Sequence, residues 1–270
     1  MIKLFEEDKF ELNRASSKGD QLKFQRDGIW YKADYLGYEG LAEYAVSKLL
    51  RFSDLEPSEY VDYELEQIEY NGNVYNGCKS ADFTEGKSLI TLERLFKRVY
   101  GEGLNRVIYR TEDHTERLRI LCEQVERVTG ITGFGIYMSK LLTVDSLFLN
   151  EDRHTHNIAV LEDAREGFSL APVFDNGGGL LSDTRMDFPM GRDAVSMIPQ
   201  VKPKTFCDDF VEQLSIAEQL YGKHVRFSFT YQEVCDIVNA ADIYDEQTRA
   251  RVIEIIMQMR RKYAYLFQRV

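Results

Sequence analysis

One segment constrains the fold of this chain more than any other. It begins with Asp-Arg-His-Thr-His-Asn, from Asp152 to Asn157, and ends with Asp-Asn-Gly-Gly-Gly from Asp175. Between these ends, two apolar runs at residues 158–161 and 168–173 flank a polar stretch, which predicts a β-hairpin. Because the strands of a hairpin run antiparallel, we expect Asn157 and Asp175 at its open end, with Asp152 one tight loop away.

The residue types in this segment indicate a site for a hard divalent cation, because Asp and Asn offer the oxygen donors that such ions prefer. Each short motif alone is weak, since Asp and Glu together number 45 in this chain. Their order is more specific. An Asp, an Asn five positions later, a hairpin and then Asp-x-Gly is the order of a kinase catalytic loop and metal-binding turn. In that scheme Asp152 orients an attacking hydroxyl, and Asn157 and Asp175 hold magnesium on the phosphates of ATP.

Composition limits the classes of partner. The 270 residues are 44% hydrophobic and 29% charged, enough for one large domain or two lobes. The net charge of −11 argues against nucleic acid or a membrane surface as partner, because both attract Lys and Arg. Residues 1–10 lack the apolar run of a secretion signal, and Lys140 and Asp145 interrupt the most apolar stretch, 133–149. A cytoplasmic protein without a membrane span is expected.

The four cysteines, Cys78, Cys122, Cys207 and Cys235, are widely spaced and form no Cys-x-x-Cys pair. This spacing favours structural thiols in a reduced compartment and argues against a zinc site or a disulfide framework. His114 is distant in sequence from other candidate ligands, and no role is assigned to it.

The periodicity of the sequence changes near residue 84. Residues 3–83 contain short alternating or aromatic segments between Gly and Asn turns, which predict strands, and one helix is predicted over residues 37–50. Beyond residue 89 helical spacing dominates. Helices are predicted over residues 117–128, 136–149, 206–221, 231–240 and 246–267. Residues 177–203, with three consecutive Gly, predict a long loop.

This order of elements resembles the bilobal protein-kinase-like fold. The Asp-Arg-His-x-x-Asn and Phe-Asp-Asn-Gly segments most resemble HipA-like serine/threonine kinases, and the first is also similar to phosphoinositide kinases. The resemblance implies an α+β fold with a β-rich N-terminal lobe carrying one helix, residues 1–84, and a helical C-terminal lobe, residues 85–270. It also implies an ATP- and Mg²⁺-dependent phosphotransferase.

The resemblance assigns Lys32, near the end of a predicted strand, to the lysine that binds the ATP phosphates. Its partner should be a glutamate on the following helix. Glu43 is favoured by the Glu-x-x-x-Ser pattern of HipA-like proteins, while Glu39 shares the same helix edge and stays an alternative. In the competing interpretation, Glu43 pairs on the helix surface with Lys48 or Arg51.

Other residues of the loop alternate with the proposed ligands. His154 stands two positions after Asp152, where eukaryotic kinases usually carry Lys, and could stabilise charge on the transferring phosphoryl group. With a reference pKa of about 6.5, it is only partly protonated at neutral pH. Arg153 and His156 are expected to pack or to pair with carboxylates.

Two further segments receive roles from the resemblance alone. One occupies the place of the loop that covers the phosphates, and its residues are Ser16, Ser17, Lys18 and Gly19. The Gly-x-Gly-x-x-Gly pattern is absent there, although backbone N–H groups and hydroxyls could still bind phosphate, and in HipA-like proteins a Ser of this loop can be autophosphorylated. The other occupies the place of the hinge beside adenine, and its residues are Ser80, Ala81, Asp82 and Phe83.

Three functions remain open. The first is an active kinase for Ser or Thr of an unidentified protein, itself included, with a regulatory or antitoxin partner as HipA-like kinases commonly have. The second is a nucleotide-binding pseudokinase or interaction module, which the weak phosphate loop favours and the retention of Asp152 opposes. The third is a kinase for a lipid or other nonprotein hydroxyl, although the acidic balance argues against work at a membrane surface.

Overall fold

The structure is a computed structural model and describes residues 1–10 and 21–267. The chain divides into two compact units. The first unit contains residues 1–83, 174–200 and 226–270, and the second contains residues 84–173 and 201–225. Both units are therefore discontinuous in sequence. The division into functional lobes near residue 84 remains a prediction.

Strands and helices alternate in long blocks, and the α+β class predicted from the sequence is confirmed. The strands are β1 (Ile2–Lys3), β2 (Lys23–Arg26), β3 (Ile29–Ala33), β4 (Glu64–Tyr70), β5 (Asn73–Ala81), β6 (Ser88–Thr91), β7 (Ala159–Asp163) and β8 (Gly167–Leu170). The helices are α1 (Glu39–Leu50), α2 (Leu92–Tyr100), α3 (Leu104–Ile108), α4 (His114–Thr129), α5 (Phe134–Phe148), α6 (Ala194–Met197), α7 (Phe210–Tyr221), α8 (Tyr231–Asn239) and α9 (Glu246–Lys262).

Within the described part of the first unit, β1 to β5 form a sheet in the order β1-β4-β5-β3-β2. β1 runs parallel to β4, and the other neighbours are antiparallel. Two tight turns fix the register. Asp27 and Gly28 join β2 to β3, Asn71 and Gly72 join β4 to β5, and all four residues have positive φ. Asp-Gly and Asn-Gly pairs adopt this conformation readily, which is why they favour two-residue hairpins.

The sheet of the first unit has different chemistry on its two faces. One face packs an apolar cluster of Leu4, Phe24, Tyr31, Ala33, Ile68 and Tyr70. Because side chains alternate along a strand, Lys32 points to the other face, where α1 packs on β5. The predicted apolar stripe of α1 is confirmed, since Leu41, Ala45 and Leu49 are buried. Lys32 and α1 therefore share one side of the sheet.

The second unit contains the predicted hairpin. β7 and β8 are antiparallel, with Val160 opposite Leu170 and Asp163 opposite Gly167, so this prediction is confirmed. β6 also pairs with β7, a contact the sequence analysis missed. Thr91, at the end of β6, caps α2 by accepting a hydrogen bond from the N–H of Arg94.

Helix α5 leads directly into the loop at residues 152–157. It is buried along most of its length, as its nearly continuous apolar sequence predicts. Leu149 ends the helix in the left-handed conformation, with φ of 56°. Asp152 therefore lies only a few residues beyond the end of the buried helix, and the start of the loop is held by the core of the second unit.

Several predicted boundaries were wrong by a few residues. α7 begins at Phe210 rather than at 206 because Asp209 caps it, accepting a hydrogen bond from Glu212 N. α9 ends at Lys262 rather than at 267. The predicted loop 177–203 contains the short helix α6. Among the residues that the structure describes, none of the helices is both long and apolar enough to cross a membrane.

Candidate active site

Lys32 lies on β3, and its ammonium group is held between two carboxylates of the first unit. Its Nζ is 2.5 Å from Oε1 of Glu43 and 2.6 Å from Oδ1 of Asp175. The side chain of Lys32 is 12% exposed and that of Glu43 2%. Burial by itself would lower the pKa of Lys32, but the charges of Asp175 and Glu43 raise it well above its usual value. The ammonium is therefore charged at any physiological pH.

Glu43 connects this lysine to the turn that follows Asp175. While Oε1 contacts Lys32, Oε2 accepts a hydrogen bond of 2.7 Å from the backbone N–H of Asn176. Glu39, the alternative partner, instead accepts hydrogen bonds of 2.6 and 3.0 Å from backbone N–H groups at residues 36–37, before α1. The structure thus brings Lys32 to Glu43 and gives Glu39 a capping role.

The surface pairing considered for Glu43 is absent among the described contacts. Lys48 and Arg51, the two candidate partners, both lie beside Asp62, with N–O distances of 2.9 and 2.6 Å. Lys48 also contacts Glu64. Lys48 and Arg51 are therefore paired with Asp62, just before β4, and with Glu64, the first residue of β4. Glu43 instead contacts Lys32 of the sheet.

Asp175 occupies an uncommon backbone conformation next to a buried tyrosine. Its φ is 60°, in the left-handed region that few residues other than glycine adopt. The hydroxyl of Tyr63 lies 3.5 Å from Asp175 N, and Lys32 Nζ lies 5.3 Å from the centre of the Tyr63 ring. Burial, and then the charge of Glu43, raise the pKa of Tyr63, so its hydroxyl remains protonated at neutral pH.

The segments assigned to the nucleotide by resemblance are only partly described. Residues 80–81 end β5, and residues 82–83 follow it. The ring of Phe83 packs on Phe174, with 5.4 Å between centroids, which connects the predicted hinge to the residue before Asp175. The predicted phosphate loop, Ser16 to Gly19, lies outside the described residues.

The predicted catalytic loop of the second unit is a compact turn. The side-chain Nδ2 of Asn157 donates hydrogen bonds to the backbone oxygen and to Oδ2 of Asp152, at 2.9 and 3.2 Å. The backbone N–H of His154 donates to the carbonyl of Asp152 at 2.9 Å, and that of Asn157 donates to the carbonyl of His154 at 2.7 Å. The two predicted functional side chains of this loop, Asp152 and Asn157, are therefore neighbours.

Positively charged and ionisable groups lie near the carboxylate of Asp152. Lys204 Nζ is 3.6 Å from Oδ1 of Asp152, and Nε2 of His154 is 3.9 Å from the same oxygen. The ring of His154 packs edge-on against His156, with 5.3 Å between centroids. The sequence analysis assigned His154 to this loop but gave Lys204 no position beside Asp152.

Arg153 connects the 152–157 loop to α5 through a buried ion pair. Its Nε is 3.0 Å from Oδ2 of Asp145 on α5, and the two side chains are 1% and 0% exposed. Arg153 Nη1 donates to the carbonyl of Asn157 at 3.1 Å, and Thr205 Oγ1 donates to the carbonyl of Arg153 at 2.6 Å. Burial raises the pKa of Asp145, an effect that the Arg153 charge opposes. The expected pairing of Arg153 with a carboxylate is confirmed.

The fold is similar to that of a known enzyme. The crystal structure of the Helicobacter pylori proinflammatory kinase CtkA aligns with 97% of this chain and with 95% of its own, at a TM-score of 0.58 and 13% sequence identity. The chain has a protein-kinase-like fold. No protein-family model matches the sequence, and no curated protein matches it. At this identity the similarity concerns the kinase-like fold alone.

Some residues around the candidate site escaped the sequence analysis. Tyr63 and Thr205 carried no motif that could have revealed them. Asp145 did carry a signal, because an acidic residue inside a largely apolar helix requires a buried partner. Arg153, eight positions later, was the nearest basic residue beyond the helix. The pairing could therefore have been predicted.

Proposed function

We propose that this chain is an ATP- and Mg²⁺-dependent kinase that transfers the γ-phosphoryl group of ATP to a hydroxyl. The main support is the buried ammonium of Lys32, 2.5 Å from Glu43 and 2.6 Å from Asp175. In protein kinases a strand lysine paired with a helix glutamate binds the ATP phosphates, and the Asp of the Asp-x-Gly turn holds magnesium. The kinase-like fold supports the same proposal.

In this proposal Lys32 binds the phosphates of ATP, and Glu43 holds the side chain of Lys32 in position. A lysine has four side-chain torsions and needs a fixed partner to keep its charge in one place. Glu43 meets this need, because its other oxygen is already held by the N–H of Asn176. Asp175 is paired with Lys32, and a magnesium ion bound by Asp175 would compete with this contact.

Asn157 and Asp175 are the proposed magnesium ligands. Both offer the oxygen donors that a hard cation prefers. Asn157 directs its Nδ2 towards Asp152, so the amide oxygen is the atom it would offer to the ion. Bound magnesium would neutralise charge on the phosphates during transfer.

In this proposal Asp152 orients the hydroxyl group of the substrate. It would accept the proton of that hydroxyl as the new P–O bond forms. The neighbouring cations fit this role, since Lys204 and His154 lie 3.6 and 3.9 Å from its carboxylate. Positive charge there would stabilise charge on the transferring group. His154 keeps its sequence-based role as such a stabilising group.

For the substrate, we propose Ser or Thr of a protein, this chain included, as in HipA-like kinases. The support is the Asp-Arg-His-x-x-Asn and Phe-Asp-Asn-Gly sequences, together with the fold similarity to CtkA, which is described as a kinase. A regulatory or antitoxin partner belongs to the same proposal. Mass spectrometry of the protein after incubation with ATP tests the self-directed reaction, and phosphate on Ser16 or Ser17 is the expected product.

The second candidate is a nucleotide-binding protein without turnover. One observation favours it: the carboxylate of Asp175 lies 2.6 Å from Lys32, an ion pair that competes with magnesium. Under this alternative ATP binds and is not consumed.

Magnesium-dependent ATP consumption separates these candidates. Asp152→Ala and Asp175→Ala should each reduce turnover by about 10²-fold or more, as expected for a lost proton acceptor or metal ligand. Asp236→Ala, which alters an exposed residue of α8, should leave the rate unchanged. Equal turnover in all four proteins would remove the kinase proposal, and binding of ATP without turnover would favour the second candidate.

A further inference from the structure

A cluster of three different metal-binding side chains lies in the second unit, where α4 and α7 begin. The ligand atoms of His114, Cys207 and Glu212 all lie within 4.8 Å of one another. Nδ1 of His114 is 2.7 Å from Oε1 of Glu212. The thiol of Cys207 is buried, whereas the His114 and Glu212 side chains are 30% and 47% exposed. One side of the cluster is therefore open to solvent.

The backbone that carries these side chains is held by specific hydrogen bonds. Asp113 caps α4 by accepting the N–H of Glu116, and Asp209 caps α7 by accepting the N–H of Glu212, both at 2.8 Å. Arg117 joins the two segments. It donates to the carbonyl of residue 111 at 2.9 Å and to that of residue 206 at 3.0 Å. The residue before Cys207 is thus tied to the chain just before α4.

The charge around Cys207 favours a cation. The acidic residues Asp208, Asp209 and Glu212 follow Cys207 closely in the sequence, and the Sγ of Cys207 lies 3.4 Å from the carbonyl oxygen of Asp209. The carboxylate of Asp208 belongs to the adjacent residue and is paired with Lys202 at 2.8 Å. A divalent cation would offset this negative charge and take up the thiolate.

The donor types select the class of metal. Nitrogen, sulfur and oxygen in one site suit Zn²⁺, which binds Cys, His and carboxylates in tetrahedral sites. Mg²⁺ and Ca²⁺ prefer oxygen alone. The cluster therefore differs in chemistry from the proposed magnesium ligands Asn157 and Asp175, which offer only oxygen.

We propose that His114, Cys207 and Glu212 bind one Zn²⁺ ion, with water in the fourth position on the open side. The site lies outside the proposed kinase chemistry and does not depend on it. Cys207 follows Thr205, whose hydroxyl holds the carbonyl of Arg153 at 2.6 Å, so the ion would brace the segment that supports the 152–157 loop.

Cobalt is the probe that tests this site, because a cobalt–thiolate bond gives a charge-transfer absorption that nitrogen and oxygen ligands do not. The full chain, without an affinity tag, is reduced, treated with a chelator and titrated with Co²⁺ and then with Zn²⁺. We expect one Co²⁺ per chain with a thiolate band, displaced by Zn²⁺, and a rise in the melting temperature with bound Zn²⁺ because the ion binds only the folded state.

Variants identify the ligands. Cys207→Ser should lose the thiolate band, and His114→Ala and Glu212→Gln should weaken Zn²⁺ binding by at least about tenfold. Both of these residues are partly exposed, so their variants are expected to fold, which circular dichroism checks. Cys235→Ser, which alters the thiol on α8, is the matched control and should keep the band. A wild-type protein without a thiolate band, a band that persists in Cys207→Ser, or binding unchanged in His114→Ala and Glu212→Gln would overturn the proposal.

Discussion

Gly40 of α1 lies directly against Gly77 of β5. A Cβ built on Gly40 would be 2.6 Å from the carbonyl carbon of Gly77, and one built on Gly77 would clash with the carbonyl oxygen of Lys32. The absence of a side chain at Gly40 lets α1 approach the sheet next to Lys32, and the absence of one at Gly77 makes room for the backbone of β3 at Lys32. Glu43, about one helical turn beyond Gly40, is thereby brought within 2.5 Å of the lysine.

Alanine at Gly40 should therefore push α1 away from the sheet, and alanine at Gly77 should disturb the pairing of β5 with β3 at Lys32. We expect Gly40→Ala and Gly77→Ala each to lower the free energy of unfolding by about 1–3 kcal/mol, the usual cost of overpacking, and to weaken ATP binding by separating Glu43 from Lys32. Gly191→Ala is the control, because a Cβ there meets no atom within 4 Å. Urea unfolding measures the difference, and equal stability of the three variants would contradict this account of the helix contact.

Removing the buried ammonium leaves two neighbouring carboxylates without their cation. Lys32→Met should lower the free energy of unfolding by about 3–5 kcal/mol, the cost of breaking a buried ion pair. The cost arises because Glu43 and Asp175 lose the cation that lies between them. Lys3→Met is the control. Its pair with Glu69 is 2.6 Å long, but Lys3 is 60% exposed, so the expected change is below about 1 kcal/mol. A loss of less than about 1 kcal/mol in Lys32→Met would show that Lys32 does not hold Glu43 and Asp175 as described.

Asp34 gives the stability a pH dependence. It accepts hydrogen bonds from Gly40 N at 2.6 Å and from the Tyr244 hydroxyl at 2.8 Å. Burial, and then the charge of Glu39, raise its pKa well above the usual value. The folded state thus binds this proton more tightly than the unfolded state, whose pKa is about 3.9.

The sign of the effect follows from this difference. The stability that Asp34 contributes is complete below the unfolded pKa and is lost as pH rises through the raised folded pKa. Asp34→Asn should remove this loss, since the amide oxygen can still accept from Gly40. The difference in unfolding free energy between variant and wild type should therefore increase in favour of the variant from acidic to alkaline pH. Parallel stability curves would refute the assignment.

The pair of Asp145 and Arg153 should affect both stability and turnover. Asp145→Asn leaves the guanidinium buried without a carboxylate and should cost about 3–5 kcal/mol. The double variant Asp145→Leu with Arg153→Met should recover most of this stability, because an apolar pair of similar size avoids the desolvation cost. It should still turn over ATP slowly, since Arg153 no longer donates to the carbonyl of Asn157. Recovery of the rate together with stability would show that Arg153 does not position the loop.

Much of the local structure was predictable from the sequence. The hairpin of β7 and β8 and the buried helix α5 have strong periodic patterns over short distances, and their predicted positions were close. The contact of Lys32 with Glu43 was expected only from the resemblance to HipA-like kinases, because helical periodicity places Glu39 and Glu43 on the same edge of α1 and cannot choose between them. The chemical roles of these residues stay predictions.

Long-range contacts set the limit of that prediction. β6 has four residues, and only its pairing with the distant β7 makes it a strand. α8 and α9 group with the N-terminal sheet through contacts such as the hydrogen bond of 2.8 Å from Asn76 to the carbonyl of Ile243, which no periodicity reveals. The sequence analysis also argued against zinc on the spacing of the cysteines. The proposed site combines His114 and Cys207, which only folding brings together.

The transfer of labelled phosphate tests the central claim most directly. Purified protein is incubated with ATP carrying a labelled γ-phosphate, with magnesium or with a chelator, and the acid-stable label on protein Ser or Thr is measured beside free phosphate. We predict label on hydroxyls of wild type only when magnesium is present, and little label on Asp152→Ala. Label that is absent from wild type, or equally abundant on Asp152→Ala, would contradict the assignment of this chain as a kinase.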